Sequence, residues 1–285
     1  MSYQIITDSC CDLTDAQLQQ YGVTCANLTV LYNGENHQNF SDPAAVKAFY
    51  DELRGGTMAT TAACNPDDWA QLMTPALKEG RDVLVMAFSS GLSTTYQSAV
   101  IAAKELQEEY PHRKICVVDT LCAALGQGLL VHHACKKRGE SMPIEELAAW
   151  LDENKRNVCH WVTVDDLSHL KRGGRISATT ALVGTMLNVK PIIHVDNDGH
   201  LISCAKVRGR KAALEYLAKK FAETATDFDT VFIGHGDCPE DAAALEATLR
   251  EKHAIREIIT GYVGPVIGAH TGPGVLVVFF MGKNR

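Results

Sequence analysis

The sequence predicts an α/β protein: an N-terminal part built on a doubly wound, mainly parallel sheet, then a C-terminal α+β part with a mixed sheet. Three observations carry this. Strand-like and helix-like runs alternate up to about residue 156, the rhythm of parallel sheets with crossover helices. Residues 82–88, Asp-Val-Leu-Val-Met-Ala-Phe, form a near-continuous apolar run, as a strand covered on both faces requires. Past residue 156 the rhythm changes, and two strand-like runs flank Asp196-Asn197-Asp198-Gly199, a turn sequence suited to an antiparallel hairpin. Two domains follow as the expectation, 1–156 and 157–285.

In order, residues 4–7 are a short apolar strand running into the polar turn Thr7-Asp8-Ser9-Cys10-Cys11-Asp12. Residues 23–32 read as one strand, ended by the hairpin dipeptide Asn33-Gly34. Residues 43–53 and 66–77 are helices, each opening on proline with acidic residues beside it. After the 82–88 strand, residues 93–108 place Tyr96, Val100, Ala103 and Leu106 on one helical stripe. Strand 115–118 and helices 122–138 and 143–154 complete the first half. Strand 158–164 opens the second half, followed by the Leu170-Lys171-Arg172-Gly173-Gly174-Arg175 segment and a short helix beyond Ser177. Strands 190–195 and 201–206, helix 211–221, strand 230–234, helix 241–252 and strands 255–262 and 275–281 follow.

Composition narrows the function classes. The chain has 285 residues, 46% hydrophobic and 21% charged, with a net charge of −7. An acidic protein is a poor non-specific nucleic-acid binder, because that binding is driven by cations neutralising phosphates. No apolar run reaches the ~20 residues of a membrane span, so no stable membrane insertion is expected. The first residues enter a strand without a basic or long apolar leader, and no secretory signal is expected. The ten cysteines include no C-x-x-C pair. A reduced, cytoplasmic protein without structural zinc is the reading, with Cys10-Cys11 the one oxidisable pair.

Four polar or Gly-rich segments stand at predicted strand ends, where open α/β sheets place their ligands. They are Thr7-Asp8-Ser9, Thr60-Thr61, Ser89 to Thr95, and the loop from Gly264 to Gly274 that holds His270. Ser93 opens a helix after a glycine turn. On its own it is a helix cap, although exposed amides there also favour an anion. His270 lies among glycines that permit close backbone approach; a packed loop histidine is the bland alternative. Residues 171–211 carry eight Lys and Arg against two Asp, so the rest of the chain holds all the acidity. That asymmetry suits an acidic partner or a phosphate-bearing substrate, or else a solvated face.

Taken together these segments resemble the DegV family of bacterial fatty-acid-binding proteins. The resemblance runs the full length through Thr7-Asp8-Ser9, Ser89-Ser90-Gly91-Leu92-Ser93, Val118-Asp119-Thr120, Gly126-Gln127-Gly128, Lys171-Arg172-Gly173-Gly174-Arg175, Lys190-Pro191-Ile192, Gly264-Pro265-Val266-Ile267-Gly268 and His270. It implies two domains holding a long-chain fatty acid such as palmitate, stearate or oleate, with no cofactor and no metal. The carboxylate would be held by Thr61, Ser93 and His270, with Ser90 and Thr95 nearby. It further implies a non-enzymatic carrier that presents the carboxylate to the catalytic subunit of a fatty acid kinase, for acyl-phosphate formation and phospholipid synthesis. Arg172, Arg175 and Arg208 would dock that kinase. The sequence departs from the family pattern at Ala62-Ala63, Thr94 and Ala124.

Two other functions fit some of the same residues. A serine hydrolase would use Ser93 as nucleophile, His270 as base and Asp237 as its orienter. The chain order suits α/β-hydrolases, but Thr95 stands where the G-x-S-x-G elbow needs glycine. A nucleotide binder would need a P-loop or a G-x-G-x-x-G after the first strand, and neither occurs.

Overall fold

The computed structural model describes residues 3–165, 167–176, 188–283 and 285; the short helix expected beyond Ser177 lies outside them. In chain order the first half contains strands β1 (Gln4–Asp8), β2 (Val23–Ala26), β3 (Thr29–Tyr32), β4 (Glu35–Gln38), β5 (Thr60–Ala62), β6 (Val83–Ala87) and β7 (Ile115–Asp119). Its helices are α1 (Asp15–Tyr21), α2 (Pro43–Arg54), α3 (Pro66–Lys78), α4 (Thr95–Glu109), α5 (Leu125–Gly139) and α6 (Ile144–Asn154). The second half has β8 (Val158–Thr163), α7 (Ser168–Arg172), β9 (Val189–Val195), β10 (Leu201–Arg208), α8 (Arg210–Thr224), β11 (Thr230–His235), α9 (Pro239–Lys252), β12 (Glu257–Tyr262), α10 (Pro265–Thr271) and β13 (Leu276–Met281).

The four-stranded sheet runs β2-β1-β6-β7 with every pair parallel. Its period-2 alternation feeds two cores. Ile5, Leu84 and Met86 face α5 and α6, while Ile6, Val83 and Val85 face α3 and α4. The sheet is thus covered by helices on both faces, as expected. The six-stranded sheet, ordered β10-β9-β8-β13-β11-β12, is mixed: only β11–β12 is parallel. Its inner face presents Val162, Phe232, Val277 and Phe279 to the same core that holds α5, and its outer face packs Trp161, Ile233 and Val278 under α8 and α9.

Helix α5 therefore serves both sheets. Two glycines in its first turn allow this. A Cβ at Gly126 would lie 2.2 Å from the His160 ring on β8, and one at Gly128 would lie 2.7 Å from the Cys11 carbonyl. Either would push the helix off its neighbours.

Several element expectations need correction. Residues 23–32 are two strands, because the chain leaves the parallel sheet at Ala26 and joins a small antiparallel sheet ordered β4-β3-β5. The Asn33-Gly34 turn has φ of 51° and 79°, as a two-residue hairpin between right-twisted strands demands. The helix expected from 122 starts at Leu125, since Leu121 and Ala124 have φ of 51° and 53°. The Gly264–Gly274 loop contains α10: Pro265 fixes the first turn, and Val266 and Ala269 bury one face. Cys10 and Cys11 are unbridged thiols, buried in a 3₁₀ turn after β1. Among the described residues no helix is long and apolar enough to cross a membrane.

Candidate functional site

Thr7-Asp8-Ser9 lies outside the cavity lining and is structural. The buried Asp8 carboxylate accepts from the amides of Phe88 (2.7 Å) and Cys10 (3.0 Å). It thereby ties the end of β1 to the loop after β6. Burial raises its carboxyl to about 6 despite those bonds. The tied loop is the Ser89–Ser93 segment. The Ser93 amide donates to the Ser89 carbonyl (3.1 Å), the Ser93 hydroxyl accepts from the Thr95 amide (3.2 Å), and it shares a 2.8 Å bond with the Thr95 hydroxyl. The Ser93 hydroxyl thus meets the first amide of α4, and Thr95 stands fully buried behind it.

Helix α10 crosses from the second half into the first. The Asn39 side chain accepts from the Val266 amide (3.1 Å) and donates to the Ser9 carbonyl (3.2 Å), while the Tyr50 hydroxyl donates to the Val263 carbonyl (2.7 Å). Gly268 is needed there, because a Cβ would lie 2.6 Å from that hydroxyl. So anchored, the helix delivers His270 Nε2 to the Thr61 hydroxyl on β5 at 2.8 Å. His270 Nδ1 is buried against Gly173 and has no hydrogen-bond partner in the protein. Burial, then the charges of Arg175 and His169, lower the imidazole to about 4, so it is neutral at pH 7.

Beside these groups lies a cavity of about 480 Å³. Thr61, Ser90, Ser93, Arg175 and His270 line it together. Beyond them the wall is apolar and drawn from both halves: Phe88 and Leu92, then Val162, Ile193, Val277 and Phe279. A second histidine of this wall, His160, escaped sequence reasoning. Its Nδ1 donates to the Val158 carbonyl (2.9 Å) and its Nε2 accepts from the Ala123 amide (3.2 Å). Both nitrogens are satisfied, and burial keeps the ring neutral. Only the glycine at 126, three residues past Ala123, hints in the sequence that something bulky packs there.

The remaining expected residues fall differently. Arg175 is part of the cavity wall, with Nε on the Leu92 carbonyl at 3.2 Å. Arg172 and Arg208 are exposed and outside it. The hydrolase triad does not assemble. Asp237 is held by Arg54, through both its carboxylate and its carbonyl, and the His270 and Ser93 side chains bond Thr61 and Thr95 rather than each other. Among the described residues no group of three or more His, Cys, Asp or Glu is placed to hold a metal.

Fold and site define an α/β protein with a largely apolar cavity lined from both halves of the chain, whose wall includes hydroxyls, a neutral imidazole and a guanidinium. The chain belongs to the DegV family: the family model described as "Uncharacterised protein, DegV family" matches residues 2–283. It is 41% identical to a DegV domain-containing protein of Clostridium perfringens, over 99% of this chain and 98% of that one. It is similar in structure to a Thermus thermophilus DegV family protein described as fatty-acid binding, at TM-score 0.88 and 30% identity with both chains covered in full. It is likewise similar to the fatty-acid-binding DegV of Bacillus subtilis, at TM-score 0.84 and 30% identity over 99% of this chain and 100% of that one.

Proposed function

We propose that the cavity holds one long-chain fatty acid and that the protein is its carrier. The observation behind this reading is one mainly apolar cavity whose lining also holds Thr61, Ser93, Arg175 and His270, in a chain related to fatty-acid-binding proteins. Burying about 14 methylenes at ~0.8 kcal/mol each offers on the order of 11 kcal/mol before association costs. Leaving the carboxylate unpaired would cancel several kcal/mol of that. Thr61, Ser93 and His270 are the groups we assign to it, with Ser90 beside them and Thr95 acting through Ser93. Arg175 supplies positive charge to the same cavity.

The proposed division of labour is that domain 1–156 brings the hydroxyls and domain 157–285 completes the site. The bound carboxylate is then presented, in the cytoplasm, to the catalytic subunit of a fatty acid kinase. That subunit transfers a phosphoryl group from ATP, giving acyl phosphate and ADP, and Arg172 and Arg208 serve as its docking charges. The chain itself turns nothing over and needs no cofactor.

Denaturing extraction of purified protein followed by mass spectrometry tests the carrier reading. Stoichiometric free fatty acid is expected. Lipid-free protein that also fails to take up palmitate or oleate would overturn it, and release of acid from added esters would revive the hydrolase.

A further inference from the structure

A second cavity, of about 460 Å³, lies on the far side of the Val263–Val266 segment, between the turn after β1 and the edge strand β12. We propose that it is a binding site for a small organic ammonium ion, with Asp12 as the group that holds the charge. Asp12 ends the 3₁₀ turn in the left-handed conformation, φ 54°. Both its carboxylate oxygens are buried, and neither has a hydrogen-bond partner in the protein. The adjacent Gly264 amide eases the charge without reaching hydrogen-bond geometry. A side chain at 264 would abolish the arrangement, since its Cβ would lie 2.6 Å from Asp12 Oδ1.

The neighbours do not supply what the carboxylate lacks. Asn39 is committed on both sides, to the Ser9 carbonyl and the Val266 amide. No Lys or Arg lines the cavity. His235, at the end of β11, also lines it and is 6% exposed; its Nδ1 has no partner in the protein, and its ring lies 4.5 Å from that of Tyr262. The cavity thus offers a carboxylate and an imidazole, and an electron-rich ring beside them. Its complement is a compact cation with N–H donors, which would pair with Asp12 through charge-assisted bonds and lay its carbon body against Leu125 and Ile259. With no cation bound, burial and the nearby Asp8 push the Asp12 carboxyl well up, so a bound ammonium displaces its proton.

The test is an NMR titration of the isotope-labelled full chain with ethylammonium chloride, against KCl at matched ionic strength. Saturable shifts at Asp12, Gly264 and Tyr262 are expected. Tetramethylammonium, which carries no N–H, should bind about tenfold more weakly or worse, as should ethylammonium to Asp12→Asn. Gly264→Ala, at an ordinary φ of −67°, blocks the same oxygen and serves if Asp12→Asn does not fold. Ser93→Ala should bind as the parent does. Shifts no different from those in KCl, equal binding of tetramethylammonium, or full binding by folded Asp12→Asn or Gly264→Ala would each overturn the proposal.

Discussion

His270 titrates in a window that makes its role measurable. An unfolded histidine has a pKa near 6.5, and the folded ring lies at about 4, lowered by burial and then by Arg175 and His169. Between those values the unfolded chain binds more protons. The stability His270 contributes is therefore complete above about pH 6.5 and is lost as pH falls toward 4. Chemical denaturation at pH 7 and pH 5 should show a smaller loss for His270→Gln than for the parent; equal losses would mean the ring is not buried neutral. Thr61→Val keeps shape and removes only the hydroxyl that meets His270 Nε2. It should weaken fatty-acid retention by ~1–3 kcal/mol, the usual effect of unpairing a buried polar group, and His270→Ala by a similar amount. Ser93→Ala should add a stability loss of ~1 kcal/mol, because the same hydroxyl accepts from the first amide of α4. Competition binding beside thermal melts would separate the two effects.

At the level of elements, what the sequence disclosed follows from periodicity. Strand 82–88 was legible because both of its faces are buried, and α3 because Asn65, Pro66 and Asp68 spell a capped start. The three-residue β5 was not, since Thr60–Ala62 is too short to show a period and is held by its partner β3. Helix α10 hid behind its glycines, which signal a loop unless one knows that Tyr50 presses on Gly268. Of the proposed carboxylate ligands, Thr61, Ser93 and His270 were legible as residue types, and they line one cavity. The wall side of Arg175 and the whole of His160 depend on which face a strand or turn presents to the other half of the chain, and no local pattern records that. Strain at the α5 start was equally invisible. Ala124 adopts φ 53° and ψ −149°, a region nearly reserved for glycine and costing ~1–3 kcal/mol. Ala124→Gly should raise stability by about 1 kcal/mol after the entropy cost of glycine. A lowered melting temperature would show that the methyl's packing outweighs the strain.

For the molecule as a whole, the shared helix α5 makes the two halves interdependent. A fragment ending at residue 156 would expose the face of α5 that covers β8, β11 and β13. It should behave as an expanded, dye-binding state rather than a native domain; a cooperative melt of that fragment would contradict this. Docking of a kinase belongs to the same scale. Arg208→Ala should keep its lipid and slow acyl-phosphate formation most at low salt, where exposed charges steer association. Arg175→Ala, in the cavity wall, should lose lipid as well, and identical behaviour of the two variants would remove the distinction. The rim of the cavity also has a history within each molecule. Thr61 and Ser93 leave the ribosome early, whereas His270 follows only after about 10–35 s at 5–20 residues per second. Through that interval half of the apolar wall has no opposite side, so loading must be a post-synthetic event. A nascent chain stalled before α10 is the state in which chaperones would meet the lining of the cavity.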